Sequence, residues 1–72
     1  MKLPGLKAAR EHALLSQAEL AARSGVSEVT INRLESRARE ARFSTVRKLA
    51  EALGVAPSDL MEESGGSAHG GR

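Results

Sequence analysis

The feature that most constrains this chain is a pair of serine-led helix starts, Ser16 and Ser27, with Gly25 placed between them. Ser16-Gln17-Ala18-Glu19 has the form of a capping box. In that arrangement the Ser16 hydroxyl accepts from the Glu19 amide and the Glu19 carboxylate accepts from the Ser16 amide. Leu15 and Leu20 flank it as a hydrophobic staple. Ser27 repeats the pattern with Val26 and Ile31, Thr30 standing where the box would have its acid. Gly25 ends the first of the two helices by accepting a positive φ. The connection Ser24-Gly25-Val26 is then too short to let the helices lie side by side, and they must cross at a steep angle.

Three further helices are expected around this pair. Ser44 is read as the cap of a helix whose Val46, Leu49, Ala50 and Leu53 form a core-facing stripe, with Gly54 as its stop. Pro57 suits the first position of a short last helix stapled by Val55 and Leu60. A first helix over about residues 4–14 would turn Leu6, Ala9, Ala13 and Leu14 inward, and Phe43, the single aromatic, is assigned to the core. No run alternates apolar with polar residues as a strand would. The expected class is all-α, with one five-helix domain over residues 1–63. Residues 64–72, rich in glycine and without an apolar anchor, are read as a disordered tail.

Composition narrows the functional classes. A chain of 72 residues supports a single small domain that buries roughly 60% of its unfolded surface. The absence of cysteine removes disulfides and thiolate metal sites and fits a reducing compartment, hence an expected cytoplasmic location. Met1-Lys2-Leu3-Pro4-Gly5 does not resemble a signal peptide, and no stretch is apolar enough to span a bilayer. For an enzyme the parts are missing. His12 and His69 have no partners at ligand spacing, Ser16, Ser27 and Ser44 are explained as caps, and the tail glycines follow no strand. One aromatic makes no base-stacking platform for single-stranded nucleic acid. No metal, cofactor, membrane or small-molecule ligand is implied. The net charge of +2 says little, but its distribution says more: Arg33, Arg37, Arg39, Arg42, Arg47 and Lys48 crowd the middle of the chain against Glu35 and Glu40.

Within residues 17–36 the structural duties fall on particular side chains. Leu20, Ile31 and Leu34 point inward, Ala21 is small where the helices nearly touch, and Val26 closes the turn from beneath. The outward face of the third helix, with Glu28, Val29, Thr30, Asn32 and Arg33, is left free of folding duties.

These blocks together resemble the Cro and repressor family of phage and bacterial helix-turn-helix regulators, often called Xre-like. The match runs over roughly residues 6–61. It is carried by Ser16-Gln17-Ala18-Glu19-Leu20-Ala21, Ser24-Gly25-Val26-Ser27, Ile31-Asn32-Arg33-Leu34-Glu35 and Leu49-Ala50-Glu51-Ala52-Leu53-Gly54-Val55. The resemblance implies a compact five-helix bundle of the phage-repressor DNA-binding-domain type, whose third helix lies in the major groove of double-stranded DNA while the second crosses the backbone. Carried over by position, Glu28, Val29 and Arg33 would read bases. Arg33 would pair with guanine, Glu28 would accept from a cytosine amino group, and Val29 would meet a thymine methyl. Gln17, Thr30, Asn32, Arg37, Arg39, Arg42 and Ser44 would lie at the DNA backbone or the groove edge. Arg10 and Glu35 match a structural ion pair between the first and third helices. Family dimers often meet through the C-terminal end, here Val55, Leu60 and Met61. Two positions depart from the pattern: Arg37 replaces a common glycine and Ala41 a common proline.

The resulting expectation is a homodimeric operator-binding regulator, acting as a repressor without cofactor. Two alternatives stand beside it: a protein-interaction module of the same fold, such as an antitoxin or co-activator bridge, and the DNA-binding segment of a longer regulator.

Overall fold

The computed structural model describes residues 1–62, and the expected tail lies outside them. Five helices follow one another with no strand among the described residues: α1 (Leu6–His12), α2 (Gln17–Ser24), α3 (Glu28–Glu35), α4 (Phe43–Leu53) and α5 (Pro57–Met61). The capping box at α2 forms as its residues dictate. Ser16 Oγ accepts from the Glu19 amide at 3.0 Å, and the Glu19 carboxylate accepts from the Ser16 amide at 2.8 Å. That backbone hydrogen bond, with the one from the Ser16 hydroxyl region, holds the Glu19 carboxyl below the usual carboxylate range. At α3, Ser27 Oγ accepts from the Thr30 amide at 3.1 Å.

The turn between α2 and α3 is built from three local devices. Gly25 takes φ +78° and donates its amide to the Ala21 carbonyl at 2.9 Å. The Val26 amide donates to Ser24 Oγ at 3.1 Å, a side-chain turn that gives Ser24 a role beyond ending its helix. Val26 itself is buried. An added Cβ at Gly25 would meet nothing within 4 Å, so the requirement for glycine there is conformational and not one of space.

The core joins all five helices. Leu6, Leu20, Ile31, Leu34, Val46, Leu49 and Leu60 are fully buried, and Ala9, Ala41 and Ala50 fill the narrow places between them. Leu3, 1% exposed, belongs to the same cluster although it precedes every helix. Backbone bonds between Met1 and Ala41, 2.8 Å from the Ala41 amide to the Met1 carbonyl, bring this segment against the loop before α4. The Gly5 amide donates to the Leu60 carbonyl at 2.9 Å and ties it to α5.

Four expectations are corrected here. The first helix is shorter than residues 4–14, because Leu14 adopts φ +61° and reverses the chain. Ala13 and Leu14 therefore do not face inward, and Leu14 is 88% exposed while Leu15 packs on the core in its place. Ser44 is not a cap: α4 begins one residue before it, with Arg42 at the cap position and no side-chain cap bond. Phe43 is not core but 57% exposed, since it sits at the margin of the stripe in the first turn, where its ring meets the Arg47 guanidinium at 5.9 Å. Leu60, assigned to a dimer interface, is 0% exposed within the single chain. A five-residue helix closing this core has no second face on which to present it.

The polar link between α1 and α3 forms as expected and is largely buried. Arg10 Nε donates to Glu35 Oε2 at 2.6 Å and Arg10 Nη2 to Glu35 Oε1 at 3.0 Å, with side chains 11% and 5% exposed. The hydrogen bond to Glu35 pushes the Arg10 guanidinium above its already high range, so it stays charged at any ordinary pH. Removing one partner strands a charge out of water, and Glu35→Ala is expected to lower unfolding stability by about 3–5 kcal/mol in denaturant titrations. Unchanged unfolding would show that the pair contributes nothing. Conversely, Leu14→Gly relieves a left-handed residue that buries almost nothing, and should raise stability by about 1 kcal/mol in the same assay. A loss there would mean that the leucine side chain stabilises the turn in another way.

Candidate nucleic-acid interface

The outer face of α3 is prepared by its inward residues. With Ile31 and Leu34 buried and Glu35 paired to Arg10, the helix can rotate in only one way against α2, and that rotation sends Glu28, Val29, Asn32 and Arg33 outward. Val29 is 61% exposed, a large apolar side chain kept in water by the frame beneath it. Val29 and Arg33 lie one turn apart on the same face, as do Glu28 and Asn32. No hydrogen bond or ion pair to another described side chain involves the Glu28 carboxylate or the Arg33 guanidinium.

Gln17 opens α2 and faces this surface, and here the structure adds to the expectation. Its Nε2 donates to Glu35 Oε1 at 2.9 Å, and its Oε1 accepts from Asn32 Nδ2 at 3.5 Å. A polar chain thus runs from the buried Arg10 through Glu35 and Gln17 to Asn32 on the outer face. No local signal marks Gln17 as a partner of Glu35, since the two are distant in sequence and meet only through the crossing of α2 and α3. Gln17, Glu28, Val29 and Asn32 together line a shallow depression of about 260 Å³.

Thr30 is drawn away from the outer face. Its hydroxyl accepts from Ser27 Oγ at 2.9 Å, which makes it part of the cap of its own helix. It also lines a larger groove of about 340 Å³, where Arg39, Arg42 and Ser44 meet Lys48. Lys48 was seen in the sequence only as one of a cluster of cations; its place one turn after Ser44 on α4 is the signal that groups it with them. Arg37 takes the left-handed conformation of the glycine it replaces, at φ +63°. Ala41 uses the amide that a proline would lack, donating it to Met1. Both departures from the pattern lie outside α2 and α3.

The structure brings Gln17, Glu28, Val29 and Asn32 together, and separately Thr30, Arg39, Arg42 and Ser44. Neither group includes Val55, Leu60 or Met61. Of these three Leu60 is buried, Val55 is half-buried, and Met61 is 38% exposed. Among the described residues no three His, Cys, Asp or Glu side chains are grouped as a metal would require, and no helix is long and apolar enough to cross a membrane.

Comparison with known proteins agrees with this geometry. A family model described as helix-turn-helix matches residues 6–60, which spans all of α1 to α4 and most of α5. No curated protein matches the chain. The match covers the serine-capped helices, the glycine turn and the α3 surface described above, and the chain belongs to the helix-turn-helix family of Cro/C1-type, Xre-like transcription regulators, a family of DNA-binding and not enzymatic domains.

Proposed function

We propose that the protein binds double-stranded DNA sequence-specifically and represses transcription by occupying its operator. The observation that carries this is the outward face of α3, where Glu28, Val29 and Arg33 have no structural task and stand exposed on a helix whose rotation is locked from below. Placed in the major groove, Arg33 donates twice to guanine, Glu28 accepts from cytosine and Val29 meets a methyl group. Gln17 presents the first-turn amide of α2 to a phosphate, its side chain being held by Glu35. Asn32 lies at the groove edge beside it. Arg39, Arg42 and Ser44, with Lys48, line the flank where the neighbouring backbone passes, Thr30 contributes there from the base of α3, and Arg37 stands earlier on the same loop. One domain touches too few base pairs to be selective by itself, so two copies on adjacent half-sites complete the reading. Their contact uses Met61 with the exposed part of Val55 and sets the two α3 helices roughly 34 Å apart.

Selection of bound sequences from random duplex DNA tests the whole proposal. A two-fold symmetric consensus is expected, and recovery of no enriched sequence would overturn it. On the selected site, Arg33→Ala should weaken binding by about 1–3 kcal/mol and relax the preference at one base pair, as read by gel shift on a set of single-base variants. Equal losses on selected and random DNA would make Arg33 a phosphate contact instead. For the dimer, Met61→Glu should reduce cooperativity on a full site while leaving single half-site binding and thermal unfolding nearly unchanged. Leu60→Glu, by contrast, should abolish folding, because it places a charge in the core. Early melting of Met61→Glu without a specific loss of cooperativity would remove Met61 from the interface.

A further inference from the structure

The depression on the outer face of α3 has four walls that differ in what they still have to offer a ligand. Gln17 and Asn32 are already bonded, Gln17 to Glu35 at 2.9 Å and Asn32 to Gln17 at 3.5 Å. Glu28 has no partner among the described side chains, and Val29 is 61% exposed. Beside these two partly engaged amides stands a carboxylate, which can only accept, next to an isopropyl group that gains by leaving water. Their complement is a flat edge carrying an N–H donor next to a methyl group.

The ordinary bases each supply at most half of that edge in the major groove. Thymine sets its methyl beside O4, an acceptor that a carboxylate repels. Cytosine has the amino donor without a methyl, adenine has its amino group beside the acceptor N7, and guanine offers acceptors alone. Donor and methyl come together in two ways: on a single 5-methylcytosine, whose methyl-bearing carbon adjoins the carbon carrying the amino group, or across a cytosine and a neighbouring thymine.

We propose that Glu28 and Val29 form a joint reader of this amino–methyl pair, so that a pyrimidine 5-methyl group at their place in the site strengthens binding. The inference rests on α3 facing base edges, as proposed above, and names what that face selects. Burying one methyl group against Val29 corresponds to roughly a fourfold gain in affinity.

The test uses the full 72-residue chain and four random duplex pools that differ only in their pyrimidines. They contain cytosine with thymine, 5-methylcytosine with thymine, cytosine with uracil, and 5-methylcytosine with uracil. The cytosine–uracil pool has no 5-methyl group and should yield the weakest selected sites, by roughly fourfold. Recovery with 5-methylcytosine and uracil identifies the methylated base as a source, and recovery with cytosine and thymine identifies the neighbouring thymine. Val29→Ser, at a position whose side chain is mostly in water, should erase the difference between pools. Glu28→Gln should relax the choice of cytosine. Selected sites of equal affinity from all four pools would overturn the amino–methyl reading while leaving base reading by α3 in place. Enrichment of thymine without an adjoining cytosine would overturn it too. If no pool yields an enriched sequence, the reading of bases by α3 fails along with it.

Discussion

The structure depends on one polar interaction, the double hydrogen bond between Arg10 and Glu35. Its reach exceeds that of an ordinary ion pair, because each partner has a second task. Arg10 Nη1 donates to the Leu15 carbonyl at 2.8 Å, which fixes the turn between α1 and α2, and Glu35 Oε1 also accepts from Gln17 at the start of α2. Three helices and one turn are therefore indexed to each other by two side chains. A buried pair is not a general source of stability, since losing the hydration of both charges offsets most of their attraction. What it supplies in this small domain is direction. Apolar packing of Ile31 and Leu34 would tolerate small rotations of α3, whereas hydrogen bonds at 2.6 and 3.0 Å tolerate few.

Fixing that rotation is what separates the inward side chains of α3 from its outward ones. Every inward side chain of α2 and α3 is committed to the core, the caps or the polar chain, so the outward side chains can change without disturbing the fold. The exposure of Val29 illustrates the point: an apolar side chain is kept out of the core because the core is already complete beneath it. The basic flank arises differently. Arg37 and Arg39 lie on the exposed stretch 36–40 between the buried Leu34 and Ala41, and Arg42 follows at the start of α4.

Much of this was legible in the chain, because the signals concerned are local. A hydroxyl three residues from the amide it caps, a glycine where φ must be positive and an apolar stripe with helical period act within a single turn. They located α2, α3, Gly25, Gly54 and Pro57 without knowledge of anything distant. The errors share an opposite origin. Nothing next to Leu14 announces that the chain will reverse there, and its place in a plausible apolar stripe made it look internal. Ser44 resembled a cap, but the start of α4 was decided by the need to bury Ala41, Val46 and Leu49 together. Phe43, the single aromatic, was assigned to the core, yet it is exposed while the nearby Ala41 and Val46, and Leu3 from the start of the chain, are buried.

The sequence by itself therefore determined the helical class, the steep crossing of α2 on α3, the outward set on α3 and the pairing of Arg10 with Glu35 through its resemblance to a known family. The tertiary structure alone decided which apolar side chains were left over. Leu60 is consumed by the core, Met61 is partly exposed, and Phe43 stands in water beside Arg47. It alone also decided that Gln17 would reach Glu35, which sets one wall of the depression on the outer face of α3. The physical reason is common to both. Caps, turns and periodicity are interactions between neighbours in the chain, whereas burial and the Gln17 bond depend on where elements distant in sequence come to rest against one another.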